Sequence, residues 1–184
     1  MMLLKKIACA AVLAAAASGA QAEDLKIGVI LPLSGPFAAH GQQLENSIRL
    51  YMKQHGDTVA GRRIRLIIKD DTGIAPAVSK RQAQELLVRD KVDLLAGFGM
   101  TPSAFSVAPL AQESRTPMVV MNAATSSITT KSDYIVRTSF TLPQVTTPIA
   151  AWSLKNGIRT VYTIVADYGP GHDAEAEFVK TFTA

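Results

Sequence analysis

Between Val92 and Thr125 two short apolar runs enclose an alanine-rich stretch. The runs, residues 94–96 and 118–121, have the length and composition of buried strands. Between them Ala104, Val107, Ala108 and Ala111 recur at helical spacing. Strand, helix and strand at this separation make a β-α-β unit, which requires a parallel pair joined by a right-handed crossover. Ligands of such sheets bind outside the carboxyl ends of the strands. Two loops therefore converge: residues 97–103 after the first strand and residues 122–127 after the second. Both are rich in Gly, Ala, Ser and Thr, with no charge and no evident catalytic group. Hydroxyls and approachable backbone N–H groups suit binding. Pro109 removes one intrahelical hydrogen bond, to Phe105, and predicts a kink.

The pattern repeats along the chain. Residues 25–31 read as a first strand, broken by Pro32 and Gly35. A helix from about Gly41 carries Leu44, Ile48, Tyr51, Met52 and His55 on one face, with His55 expected as a packing residue. Gly56 and Gly61 bracket a turn before a strand over residues 62–69. Asp70 and Asp71 read as a solvated strand terminus with turn-forming side chains. Pro76 suits a first helical turn; Val78, Ala83, Leu86 and Leu87 then face inward. Residues 134–138 form another short strand. A helix from Leu142 follows, with Val145, Ile149 and Trp152 along it and Asn156-Gly157 as its stop. Residues 159–166 are β-branched and predict a strand. A last helix carries Ala174, Phe178 and Phe182. Alternating strands and helices argue an α/β fold with a parallel sheet flanked by helices.

The first 22 residues have the form of an export signal. Lys5 and Lys6 make a basic start, residues 7–17 an apolar run too short to span a bilayer well, and Ala20-Gln21-Ala22 an A-x-A cleavage site. The mature chain is expected to begin near Glu23. Cys9, the only cysteine, lies within the leader, so no disulfide is expected. Lys5 and Lys6 are two of 19 basic residues, and none of the 15 acidic ones precedes Glu23. The mature balance is therefore about 17 against 15 and close to neutral. With no basic stripe interleaved by aromatics, a nucleic-acid partner is not expected.

Several motifs fail on inspection. Residues 56–61 have phosphate-loop glycine spacing, but Arg62-Arg63 follow where Lys-Ser/Thr is required. Gly97-Phe98-Gly99 sits between strand and helix, yet Pro102 occupies the third glycine position of a dinucleotide loop. His40, His55 and His172 are far apart, which argues against a metal site. No cofactor is expected. What survives is three Ser/Thr/Gly loops at one sheet edge, residues 34–41, 97–103 and 122–127, the arrangement of a small-molecule site.

With those residues placed, the chain resembles the type I periplasmic solute-binding proteins of the branched-chain amino-acid family, the receptors of ABC importers. The matching stretches are residues 26–37 with Gly41, the strand ending Ile68-Lys69-Asp70-Asp71, and Gly97-Phe98-Gly99-Met100-Thr101-Pro102. Residues 117–125, Tyr134-Ile135-Val136-Arg137-Thr138 and residues 165–169 complete the ordered set. The resemblance implies two α/β lobes closing on a ligand, the first over residues 23–157 and the opening of the second over residues 158–184. Family members are about twice this length, so a truncated product is expected. It also implies a non-enzymatic receptor that captures a small carboxylate in the periplasm for an ABC permease of the inner membrane. His40 matches an aromatic ligand neighbour of the leucine-type receptors. Thr101 matches a carboxylate-binding hydroxyl, Ala123 and Thr125 backbone and hydroxyl contacts, and Tyr168 a second-lobe tyrosine. Phe98 and Met100 replace polar residues and resemble the subgroup that takes aromatic or hydrophobic carboxylates. A ligand sensor of the same fold is an alternative. An exported α/β enzyme is another, but it needs a nucleophile–base pair or metal cluster that the sequence does not display.

Overall fold

The computed structural model describes residues 23–184; the leader, with Cys9, lies outside the described residues. Six strands form one sheet: β1 (Leu25–Leu31), β2 (Thr58–Val59), β3 (Arg62–Asp70), β4 (Leu94–Gly97), β5 (Met118–Val120) and β6 (Ile135–Arg137). Their order is β2-β3-β1-β4-β5-β6. Every pairing is parallel except β2 with β3, a two-residue hairpin arm where the sequence suggested only a turn. The helices are α1 (Ala38–His55), α2 (Pro76–Glu85), α3 (Thr101–Ser114), α4 (Leu142–Lys155) and α5 (Gly169–Phe182). A π-helical turn, Leu86–Asp90, extends α2. The fold is thus α/β, a mostly parallel sheet flanked by helices.

Alternation along β1 divides the core. Ile30 points to one face and joins a cluster with Ala83 of α2, Leu86 of the π-helical turn, Ala104, Val107, Ala108 and Ala111 of α3, Leu95 of β4, and Met118 and Val120 of β5. Val29 and Leu31 point to the other face with Ala96, where Leu44 and Ile48 of α1 pack beside Leu66, Ile68 and Val119. The chain leaves β1 for β3 on one side and later returns to β4 on the other. The loops after β1 and β4 therefore part at a topological switch point, the position at which open parallel sheets bind ligands.

Three expectations need correction. α1 begins at Ala38, after a 3-10 turn at Gly35–Phe37, and Tyr51 and His55 pair on its solvent side, ring centroids 4.3 Å apart and planes tilted by 31°. The stripe that meets the sheet face is narrower than the apolar spacing suggests, and Leu44 and Ile48 fill it. Residues 159–166 form no strand: no backbone N–H from Arg159 to Ala166 finds a backbone acceptor, and Tyr162 and Ile164 are almost fully exposed. β-branched composition favours extended backbone, but a strand exists only where a neighbour completes its ladder. On α4, about whose facing the sequence made no statement, Val145, Ile149 and Trp152 face solvent while Ala150 and Ser153 are buried. Asp71 is not solvated; it is fully buried.

α3 runs as one helix through Pro109. α4 opens with a capping box in which Thr141 and Gln144 satisfy each other's backbone N–H. α4 packs chiefly on α5, reinforced by Thr147 Oγ1 donating to Glu177 Oε1 at 3.1 Å.

Candidate functional site

The carboxyl ends of β1, β4, β5 and β6 present the predicted loops side by side. Gly97 makes the turn out of β4 at φ +110°, and a Cβ there would lie 2.2 Å from the Ile30 carbonyl oxygen, so only glycine fits. Phe98 follows at φ +61°, an unusual value for an aromatic residue. Its N–H donates to Ile30 O at 2.9 Å and its carbonyl accepts from Ala123 N at 3.0 Å. This crossed pairing ties the loop after β4 to β1 and to the loop after β5. Asn122 Nδ2 donates to Gly99 O at 2.9 Å and adds a second tie.

Thr101 starts α3, and Thr125 precedes a 3-10 turn, Ser126–Lys131. Their side chains meet: Thr101 Oγ1 and Thr125 Oγ1 are 3.0 Å apart, and both residues are buried. The first turn of α5 lies against the pair. A Cβ built on Gly169 would sit 3.6 Å from Thr101 Cγ2 and 3.6 Å from Thr125 Oγ1. Two helix N-termini, those of α3 and α5, therefore meet at two hydroxyls. Neither helix has a side-chain cap, so N–H groups of both first turns stay available. The combined dipoles and free donors suit an anion.

The other predicted residues divide. Ala123 is buried beside the pair, with its N–H and carbonyl both engaged. Met100 is half-buried at the N-cap of α3, and Tyr168 half-buried at the N-cap of α5, next to Gly169. His40 is half-buried on α1; its ring Cδ2 lies 3.6 Å from where a Cβ on Gly99 would stand, and its Nε2 is shielded from solvent without a hydrogen-bond partner. Phe98 lies deeper than the others: its side chain is fully buried in the core cluster with α2 and α3 and supports the loop from behind. The left-handed backbone turns the ring inward, and residue type alone does not reveal that.

Two charged residues escaped the sequence reading. Arg137, at the carboxyl end of β6, donates from Nη1 to Thr125 O at 2.7 Å and to Ala123 O at 3.3 Å, and from Nη2 to Ser126 O at 3.1 Å. Burial pulls its pKa down against the opposing charge of Asp173, yet a guanidinium remains a cation. Asp173, on α5, accepts from Ser126 N and from Ser126 Oγ, each at 2.7 Å. An arginine at a strand's carboxyl end was the available signal for the first. Asp173 carried none, because its partner is 47 residues away.

Beneath the site, Asp71 anchors α2 and α3. Its Oδ2 accepts from Ser103 Oγ at 2.8 Å and Ser79 Oγ at 3.1 Å, and its Oδ1 from Gly73 N at 3.1 Å. Ser103 lies two residues beyond Thr101, so this buried carboxylate fixes the turn that carries the hydroxyl. A groove of about 820 Å³ lined by Arg49, Met52, Lys53, Arg63 and Arg65 lies at the opposite end of the strands, away from these residues. Among the described residues no group of three His, Cys, Asp or Glu is placed to hold a metal ion.

Comparison with known proteins places the chain by family and fold. Residues 24–184 match the family described as "Periplasmic binding protein". The chain is 50% identical over 182 residues to Leu/Ile/Val-binding protein homolog 6 of Brucella abortus (strain 2308), covering 98% of this chain and 47% of the relative. A solute-binding protein of an ABC transporter from Rhodopseudomonas palustris BisB5, solved with 3,4-dihydroxybenzoic acid, superposes with a TM-score of 0.84 at 52% identity. That match covers 88% of this chain and 44% of that one. A second R. palustris solute-binding protein, solved with 4-hydroxybenzoate, gives a TM-score of 0.84 at 49% identity over the same shares. The chain thus spans about half the length of the relatives it matches.

Proposed function

The chain belongs to the periplasmic binding protein family, and from that premise we propose that it serves as the ligand-capturing lobe of an ABC-importer receptor for a small aromatic or hydrophobic carboxylate. The observation that carries this reading is the buried Thr101–Thr125 hydroxyl pair at the meeting of two helix N-termini. A carboxylate entering there replaces a hydroxyl–hydroxyl bond with charge-assisted ones, aided by both helix dipoles. Arg137 is occupied by loop carbonyls, so the anion is recognised by neutral donors. The two R. palustris relatives hold hydroxybenzoates, which supports an aromatic ring as the rest of the ligand. We assign Met100, His40 and Tyr168, each half-buried near the converging loops, to the ring of such a ligand. The name of the Brucella relative points instead to branched-chain amino acids.

In this reading the protein works in the periplasm, without catalysis, and hands its ligand to a membrane permease. The leader of residues 1–22 supplies the export. We assign the helix pair α4 and α5 together to the second lobe, because α4 packs chiefly on α5, which moves the lobe boundary from the expected residue 157 to residues 138–141.

Calorimetric titration with 4-hydroxybenzoate, benzoate and leucine tests the reading. A lost hydrogen bond to a charged group costs roughly 1.5–3 kcal/mol. Thr125→Val should therefore weaken binding of the preferred ligand about ten- to a hundred-fold. Thr116→Val, before the opposite end of β5, should bind normally. Equal affinities for the two variants would remove the ligand from these loops. Tighter binding of leucine than of 4-hydroxybenzoate would reassign the ligand class.

A further inference from the structure

Ser126 follows Thr125 directly, and both its N–H and its hydroxyl donate to one carboxylate, that of Asp173, at 2.7 Å each. Arg137 grips the same loop from the other side through the carbonyls of Ala123, Thr125 and Ser126. The cradle loop is thus held between a cation on β6 and an anion on α5. Asp173 lies one helical turn beyond Gly169, the residue that covers the Thr101–Thr125 pair. α5 otherwise touches the sheet lobe lightly, making its main contact with α4. Its first turn has no side-chain cap of its own to fix it in place. The two bonds to Ser126 are therefore the strongest directional contacts between α5 and the loop.

We propose that Asp173 is a closure clasp: its bond to Ser126 holds the first turn of α5 over the hydroxyl pair and sets the rate at which a bound carboxylate escapes. This rests on the ligand reading above for its kinetic part, but not for its structural part. The clasp and the ligand use different atoms of adjacent residues, Ser126 N and Oγ against Thr125 Oγ1. Closure over a carboxylate therefore needs no exchange of partners at Ser126. A carboxylate that closes the lid also places a second anion near the first, and Arg137 together with the N-termini of α3 and α5 offsets that repulsion. Loss of the clasp should act on release more than on capture, since it changes how long the lid stays shut and not the face offered to an arriving ligand.

The experiment compares the wild-type chain with Asp173→Ala, Asp173→Asn and Ser126→Ala. Hydrogen exchange at the Ser126 amide is followed without ligand, and stopped-flow association and dissociation with 4-hydroxybenzoate as probe. In Asp173→Ala the amide loses its acceptor and should exchange at least about ten-fold faster, while amides of β1 and β4 stay protected. Dissociation should accelerate about ten- to a hundred-fold with association nearly unchanged. Asp173→Asn keeps one acceptor oxygen and should fall between the two. Unchanged exchange at Ser126 in Asp173→Ala overturns the clasp, as does a loss of affinity carried wholly by slower association. If wild type shows no binding of the probe while Asp173→Ala still releases the Ser126 amide, the clasp stands as a structural closure and the ligand assignment falls.

Discussion

Asp70 and Asp71 stand together at the carboxyl end of β3 and meet opposite environments. Asp70 is the turn-former: its Oδ1 accepts from the backbone N–H groups of Leu33, Ser34 and Thr72. Burial by itself would raise its pKa, but the hydrogen bonds from the Ser34 side chain and from those N–H groups together hold it below the ordinary value of 3.8. A depressed pKa adds stability that is present above the unfolded-state value and is lost as pH falls through the folded one. Denaturant unfolding at several pH values should therefore show wild type losing its advantage over Asp70→Asn as the pH drops below about 4. An advantage that persists unchanged at pH 2 would contradict this. Asp71 is buried and accepts three hydrogen bonds, from Gly73, Ser79 and Ser103. Asp71→Ala strands those donors and should cost roughly 2–4 kcal/mol in the same unfolding assay. It should also loosen Thr101, because Ser103 is the link between that carboxylate and the first turn of α3.

Elements differ in how far local sequence decides them. β1, β4 and β5 were legible because short apolar runs flanked by Gly and Pro have few alternatives, and α2 and α3 because Ala, Leu and Val recur at helical spacing. The loops around Thr101 and Thr125 were legible for the same reason: parallel strands put their carboxyl ends together. Residues 159–166 read as a strand on composition and are extended without a partner, since pairing is a property of the neighbour and not of the segment. Hydrogen exchange should separate the two kinds of element: amides 159–166 should exchange at rates near those of an unfolded peptide, while β1 and β4 are protected. Protection of residues 161–165 equal to that of β4 would show that a ladder forms. Asp173 was illegible because its partner loop is 47 residues away, and the role of Arg137, signalled only by its place at a strand's carboxyl end, depends on the path of a neighbouring loop. The start of α4 is local again. Thr141 and Gln144 form the capping box, so Thr141→Ala should lower stability by about 1 kcal/mol in thermal or denaturant unfolding.

At the scale of the molecule, apolar surface is unevenly covered. α2 and α3 close one face of the sheet, while on the other Leu44 and Ile48 of α1 are the helical residues packed among Ile27, Leu66, Ile68, Leu94 and Val119, all only partly buried. Beyond the sheet, Val145, Ile149 and Trp152 form an exposed stripe on α4, and Tyr162 and Ile164 are open to solvent in the neighbouring extended segment. An extended β-branched segment with unpaired backbone groups beside an apolar stripe is a surface on which chains associate. The chain spans about half the length of its relatives, and these are surfaces that a second α/β layer would be able to cover. The 184-residue chain on its own should therefore self-associate as its concentration rises. Trp152 is the sole tryptophan and lies within the stripe at 55% exposure, so its fluorescence reports the event directly. Its emission should be solvent-like in dilute solution and shift to the blue as sedimentation velocity shows larger species. Ile149→Lys should suppress both changes, because a charge in the stripe must be desolvated before two copies meet. A single monomeric species with constant emission across the concentration range would mean that these faces are covered within the chain itself.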